Sequence, residues 1–350
     1  MIWYEGDQNI VLSEFNGINW SKPDTIISGN QLFKNWADQP QIYYLGGDTL
    51  VVSWLEMMDR GTYDYGIFVA VSSDRGHHWS EPVRPHRDSG KGEHGFISFF
   101  KKASGKLGMT WLDGRYMGEY NQITHTMGDM ILMTSSLSGN LELDPEHILD
   151  NRVCECCPTD AIEIKDGFLI AYRDRSNEEI RNINLIRFSE GKWSDPYPVF
   201  DDGWSIHGCP VNGPALSANG NQVAIAWFTA PNNNPIVKAA FSKDGGQSFG
   251  NPIRIDSSSA IGRTDMIWLN DRTVLVSWLK EGDETGELIL QSIDTHNLKI
   301  LNKMSFTINS GRGSGYPKLA VAGNYIIIVW TDPEEDIGIR SEWISLKKLL

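Results

Sequence analysis

Two stretches decide how this chain is read: Val69-Ala70-Val71-Ser72-Ser73-Asp74-Arg75-Gly76-His77-His78-Trp79 and Ala239-Ala240-Phe241-Ser242-Lys243-Asp244-Gly245-Gly246-Gln247-Ser248-Phe249. In both, an apolar run ends in Ser-x-Asp-x-Gly-x-x-aromatic. Ser and Asp side chains cap backbone N–H groups in such a turn, Gly supplies a positive φ, and the aromatic packs beneath a hairpin. The pattern marks an architecture and not an activity.

Degenerate copies occur at Phe15-Asn16-Gly17-Ile18-Asn19-Trp20 and Ser189-Glu190-Gly191-Lys192-Trp193, each followed, like the full copies, by polar residues and a Pro. A repeat is therefore sought first. The aromatics that end apolar runs, Trp54, Trp111, Tyr172, Trp227, Trp278 and Trp330, recur at spacings of 57, 61, 55, 51 and 52 residues. Each is preceded by a short strand, a Gly, Asn or Asp turn and a second strand, with room for two more around the polar turn. Four antiparallel strands in each of six units predict an all-β, six-bladed β-propeller. The last repeat, from Tyr316, has room for three strands, so residues 1–27 are expected to complete it and close the ring. The whole chain, 1–350, is then one domain.

Composition narrows the function classes. A net charge of −14 with no Lys/Arg-rich run argues against nucleic acid. No apolar stretch approaches the roughly 20 residues of a membrane helix. The opening Met1-Ile2-Trp3-Tyr4 has neither the basic nor the apolar region of a secretory leader. By analogy with sugar-directed propellers, the expectation is a secreted or periplasmic protein whose leader has been removed, with a cytoplasmic location as the alternative.

Propeller topology brings residues just before the first strand and just after the second strand of each blade to one funnel. The first group includes His94, Cys157, Asp160, His207, Cys209, Asn212, Arg263, Asp265, Tyr316 and Lys318; the second includes Arg60, Asp64, Asp113, Arg115, Arg173, Arg175 and Arg181. The segment Tyr172-Arg173-Asp174-Arg175-Ser176-Asn177-Glu178-Glu179-Ile180-Arg181 is the richest in charge and reads as an anion-recognition loop.

With these repeats the chain resembles the sialidase (neuraminidase) superfamily, whose Asp-box is the Ser-x-Asp-x-Gly turn. The resemblance implies a retaining hydrolase of a sialic acid or related acidic sugar, using a Tyr nucleophile with a carboxylate base, an Asp acid/base and a three-arginine clamp. Ser314-Gly315-Tyr316-Pro317-Lys318-Leu319 is similar to the nucleophile's surroundings, which makes Tyr316 the matching position. Asp59-Arg60-Gly61-Thr62-Tyr63-Asp64 resembles the acid's loop and nominates Asp64. Asp160 matches the base and Arg173 one clamp residue, supported by Arg175, Arg263, Arg60 or Arg115, with His94, Asn212 and Asp265 lining the site. The clamp departs from the family pattern, because no Arg lies at Gln39-Pro40-Gln41 or in Lys280-Glu281-Gly282-Asp283-Glu284.

The expected partner is an acidic glycan or glycoconjugate, with no cofactor. A propeller that binds glycan or protein without catalysis is the reading from another class. Cys154, Cys156, Cys157 and Cys209 leave three states open: disulfides, buried thiols, or a soft-metal site of Cys157 and Cys209 with His207 or His94, which would make a thiol- or copper-dependent protein.

Overall fold

A computed structural model describes the chain except residues 59, 60, 62, 89–91, 122–125, 283, 284, 310 and 333–337. The fold is an all-β propeller, but its blades number seven and hold three to five strands, in place of six blades of four. They span residues 2–28, 41–72, 94–150, 160–198, 215–254, 260–308 and 318–345, and are called blades 1 to 7. A short hairpin, Tyr120–Asn121 with Thr126–Met127, is inserted in blade 3.

The six aromatic markers all fall in the second strand of a blade, and all are buried. Blade 1 escaped the count because its strands Ile2–Glu5 and Asn9–Leu12 are only four residues long and its Trp3 lies in the first of them. Residues 1–27, expected to complete the last blade, form this sheet of their own together with Ser28, in the order Ile2–Glu5, Asn9–Leu12, Asp24–Ser28. Blade 7 is three-stranded, from Lys318–Ala322 through Tyr325–Thr331 to Ile339–Ser345.

The chain divides into two compact units, Met1–Glu155 with blades 1 to 3 and Cys156–Leu350 with blades 4 to 7. Within each, successive blades pack face to face. In the strand Gln222–Thr229 the alternate residues Val223, Ile225 and Trp227 pack with Leu169 and Leu185 of blade 4, while Ala224, Ala226 and Phe228 pack with Val276 and Trp278 of blade 6. Side chains alternate across a strand, so a strand covered on both faces must be apolar at every position. In the first unit Ile10 of blade 1 packs with Val52 and Trp54 of blade 2, whose Val51 and Ile67 meet Trp111 of blade 3.

The two Ser-x-Asp-x-Gly turns share one hydrogen-bond scheme. Ser72 Oγ accepts Gly76 N–H at 2.8 Å and Asp74 Oδ1 accepts His78 N–H at 2.9 Å; Ser242 and Asp244 repeat this with Gly246 and Ser248 at 2.9 and 3.0 Å. Trp79 and Phe249 pack against the blade cores beneath.

Candidate functional site

In the second unit the sequence-derived candidates converge on Asn212, which precedes the first strand of blade 5. Its Oδ1 accepts the N–H of Arg263 at 2.7 Å and its Nδ2 donates to Ile261 O at 3.0 Å, tying blade 5 to the start of blade 6. Only glycine fits between them: a Cβ on Gly262 would lie 2.2 Å from Asn212 Oδ1. Arg263 itself has φ 55° and the β-branched Val211 has φ 47°. Such left-handed non-glycine residues cost about 1–3 kcal/mol each and persist where surrounding bonds over-determine them. The hydroxyl of Tyr316 donates to Val211 O at 2.5 Å, and Arg263 Nη1 donates to Gly311 O and Gly315 O at 3.0 and 3.1 Å. Burial pushes the Arg263 guanidinium down; the neighbouring Tyr316 opposes that shift and Arg312 adds to it.

The other arginines are engaged elsewhere. Arg173, buried at 1% exposure, donates from Nε to Asn212 O, from Nη1 to Arg181 O and from Nη2 to Phe228 O, each at 2.7 Å, and its guanidinium lies 5.1 Å from the Trp204 ring. It holds backbone together and does not present a fork to a substrate. Arg175 and Arg181 both pair with Glu179 at 2.8 Å. Hydrogen bonding to Arg175, against burial and with the charge of Arg181, holds the Glu179 carboxyl down at about 2. The expected anion-recognition loop is thus neutralised internally.

Asp160, expected as the base beside Tyr316, instead accepts the N–H of Leu216 in blade 5 through Oδ2 at 2.6 Å. The single hydroxyl proton of Tyr316 goes to Val211 O. Burial pushes Asp160 up to about 6, with Lys318 opposing. Asp265 repeats the latch one blade on, accepting Leu319 N–H at 2.7 Å, with Lys318 Nζ at 3.9 Å from its other oxygen. In the first unit Asp38 does the same for Phe96 N–H at 2.5 Å. These acids were separable from site residues only by seeing their partners, which lie 54 to 58 residues away.

In the first unit His94 lies between two carboxylates, its Nε2 3.3 Å from both Asp88 and Asp113. Against burial, which alone would lower it, Asp113 and Asp88 hold His94 up at about 9. It stacks on His86 with centroids 3.9 Å apart. His86 Nε2 accepts Ile67 N–H and its Nδ1 donates to Asp88, so both ring nitrogens of His86 are engaged in the fold. Arg115 is bidentate to both Asp113 and Glu146 at 2.7–3.1 Å, leaving it no fork for a substrate.

Asp64 lies at the end of its loop, its carbonyl accepting Met58 N–H at 2.8 Å; Arg60 lies outside the described residues. Sequence reasoning missed Glu93, a half-buried carboxyl that accepts the Tyr65 hydroxyl. Burial pushes Glu93 up, with Tyr65 opposing and Glu155 adding. No periodic signal marks it, because it stands just outside the strand His94–Lys101.

Among the cysteines, Cys209 is bonded to Cys156, with Cα atoms 6.2 Å apart, and not to its positional counterpart Cys157. Cys157 is buried and its Sγ accepts Asn212 N–H at 3.5 Å, facing the hub. Cys209 therefore offers no thiolate to a metal, and His207 is exposed.

No family model matches the chain, and no curated protein matches it. Solved structures do. The NanB sialidase of Streptococcus pneumoniae is 12% identical, covering 93% of this chain and 72% of its own, with a TM-score of 0.58. The GH93 α-L-arabinofuranosidase of Fusarium graminearum is 12% identical over 92% of this chain and 96% of its own, with a TM-score of 0.58. The polysaccharide lyase Uly1 is 12% identical over 99% of this chain and 87% of its own, with a TM-score of 0.61. At this identity the likeness is one of fold.

Proposed function

We propose that this chain is a glycan-directed propeller acting as a sialidase-like glycoside hydrolase on an acidic sugar, with Tyr316 as the reacting group and Arg263 as its electrostatic partner. The observation that carries the reading is the Tyr316 phenol held at Val211 O beside the buried Arg263 guanidinium. The Arg263 guanidinium sets a positive charge beside the attacking oxygen. In the retaining route the Tyr316 oxygen bonds to the anomeric carbon as the bond to the aglycone breaks, the phenol proton passing to solvent and the aglycone oxygen taking one from Asp64 or solvent; water then adds at the anomeric carbon, the bond to Tyr316 breaks, and a proton of that water restores the phenol. A neutral phenol approaches an anionic sugar without like-charge repulsion. Arg263 and the exposed Arg312 supply positive charge in place of the expected clamp, because Arg173, Arg175 and Arg115 are engaged. A secreted or periplasmic setting belongs to this reading, supported by the Cys156–Cys209 disulfide.

The test is release of aglycone from aryl glycosides of sialic acids, uronic acids and neutral sugars. Tyr316→Phe is expected to abolish release from an acidic substrate with its affinity retained. Unchanged turnover in that variant removes the assignment, and Asp64→Asn assayed alongside tests Asp64 separately. Sugar binding with no release from any substrate favours the non-catalytic reading, which the donation of the Tyr316 proton to a carbonyl would then explain.

A further inference from the structure

The degenerate copy Ser189-Glu190-Gly191-Lys192-Trp193 does not form the turn of the two full copies. Phe188 pairs with Trp193 and Ser189 with Lys192, so Glu190 and Gly191 are the two loop residues of a tight hairpin, with φ 52° and 78°. Two positive φ values are what a type I′ hairpin turn requires. The consequence is a different place for the aromatic. Trp79 and Phe249 pack beneath their turns against the blade cores, whereas Trp193 lines an open cavity of about 430 Å³.

That cavity is built. Trp193 is fixed edge-on to Phe168 and Phe188, with centroids 5.1 and 5.0 Å away. Its far wall belongs to the Ser242 turn of blade 5, held by the Tyr197 hydroxyl donating to Gly246 O at 2.7 Å and by Arg187 Nε donating to Gly245 O at 3.2 Å. Arg187 Nη1 donates to Ser189, while its Nη2 has no hydrogen-bond partner among the described residues. Lys192, exposed on the hairpin, adds a second cation, and Gln247 supplies an amide on the opposite side. In a chain of net charge −14 this sets two cations beside a half-buried indole, with Glu190 in the lining and Asp244 in the neighbouring turn as the acids.

We infer that the cavity between the Glu190–Gly191 hairpin and the Ser242 turn is a second, non-catalytic binding site for an acidic oligosaccharide, with Trp193 as the stacking platform and Arg187 and Lys192 as the anion contacts. An indole offers apolar surface to the C–H face of a pyranose, and the fixed cations select a carboxylated or sulfated ring. The volume lies in the range of small-molecule sites. The choice of a sugar as ligand rests on the glycan-directed reading; the site does not depend on the chemistry at Tyr316. A second site on the same chain would tether a polymer while the first acts on it.

The experiment is native affinity electrophoresis of the full chain in gels containing polygalacturonate, polysialic acid or neutral arabinan. Wild type is expected to be slowed by at least one acidic polymer and not by arabinan. Lys192→Glu, a change at an exposed position, and Trp193→Ala are each expected to weaken that retardation about tenfold, with aryl-glycoside turnover unchanged in both and melting temperature unchanged in Lys192→Glu; Trp193→Ala also gives up its packing on Phe168 and Phe188 and melts lower. Tyr316→Phe is expected to migrate as wild type does. Retardation lost in Tyr316→Phe but kept in both hairpin variants, equal slowing by arabinan, or no slowing by either acidic polymer overturns the inference. Absence of turnover alone counts against the hydrolase reading and leaves the retardation result standing.

Discussion

Arg173→Met separates a structural arginine from a substrate clamp. Three backbone carbonyls, of Asn212, Arg181 and Phe228, each lose a donor now at 2.7 Å, and the site is closed to water at 1% exposure. A buried acceptor left without a partner costs about 1–3 kcal/mol. The contact with Trp204 adds about 0.5–2 kcal/mol. Relief from holding a charge out of water, with the apolar gain of Met, offsets part of this. A net loss of about 3–6 kcal/mol follows, a large share of the 5–15 kcal/mol by which folded domains are typically stable. The assay is thermal and urea unfolding followed by circular dichroism, with an expected fall in melting temperature of about 4–8 °C. A variant melting within a degree or two of wild type but failing to bind acidic sugar would falsify the structural assignment and return Arg173 to the clamp.

Burial pushes the Asp38 carboxyl up to about 7 from the usual 3.8, with Phe96 N–H opposing and Glu93 adding. A raised carboxyl contributes stability that is complete below the unfolded value and is lost as pH rises through the folded one. Asp38→Asn, which keeps an acceptor for Phe96, is therefore expected to gain on wild type in melting temperature between about pH 4 and pH 8. Parallel pH profiles for the two proteins would show that Asp38 titrates normally. Titration in denaturant should find two thiols without reductant and all four with it. Reduction should cost about 2–4 kcal/mol, since the Cys156–Cys209 bond closes a 53-residue separation; four thiols at the outset would remove the disulfide. Gly167→Ala should fail to fold, because at φ 152° its Cβ would stand 1.8 Å from Phe188 O, whereas Gly139→Ala, with nothing within 4 Å, should melt like wild type.

The strands and the Ser-x-Asp-x-Gly turns were legible in the sequence because each depends on neighbours a few residues apart. The continuous apolar run in Gln222–Thr229 or Thr273–Lys280 needs no knowledge of what covers it. The blade count failed at residues 2–28, where short strands carry too few residues for a period to emerge. Tyr316, Arg263 and Asn212 could be nominated as a group, since repeat position alone sends them to the starts of blades. Their partners could not be read from it. Whether Asp160 faces Tyr316 or latches Leu216, whether Cys209 meets Cys156 or Cys157, and whether Arg173 grips carbonyls or a ligand turn on offsets of one or two residues between strands some 50 positions apart. Local periodicity cannot encode such offsets. They are set when adjacent blades pack, and that packing decided which charges are structural and which remain for chemistry.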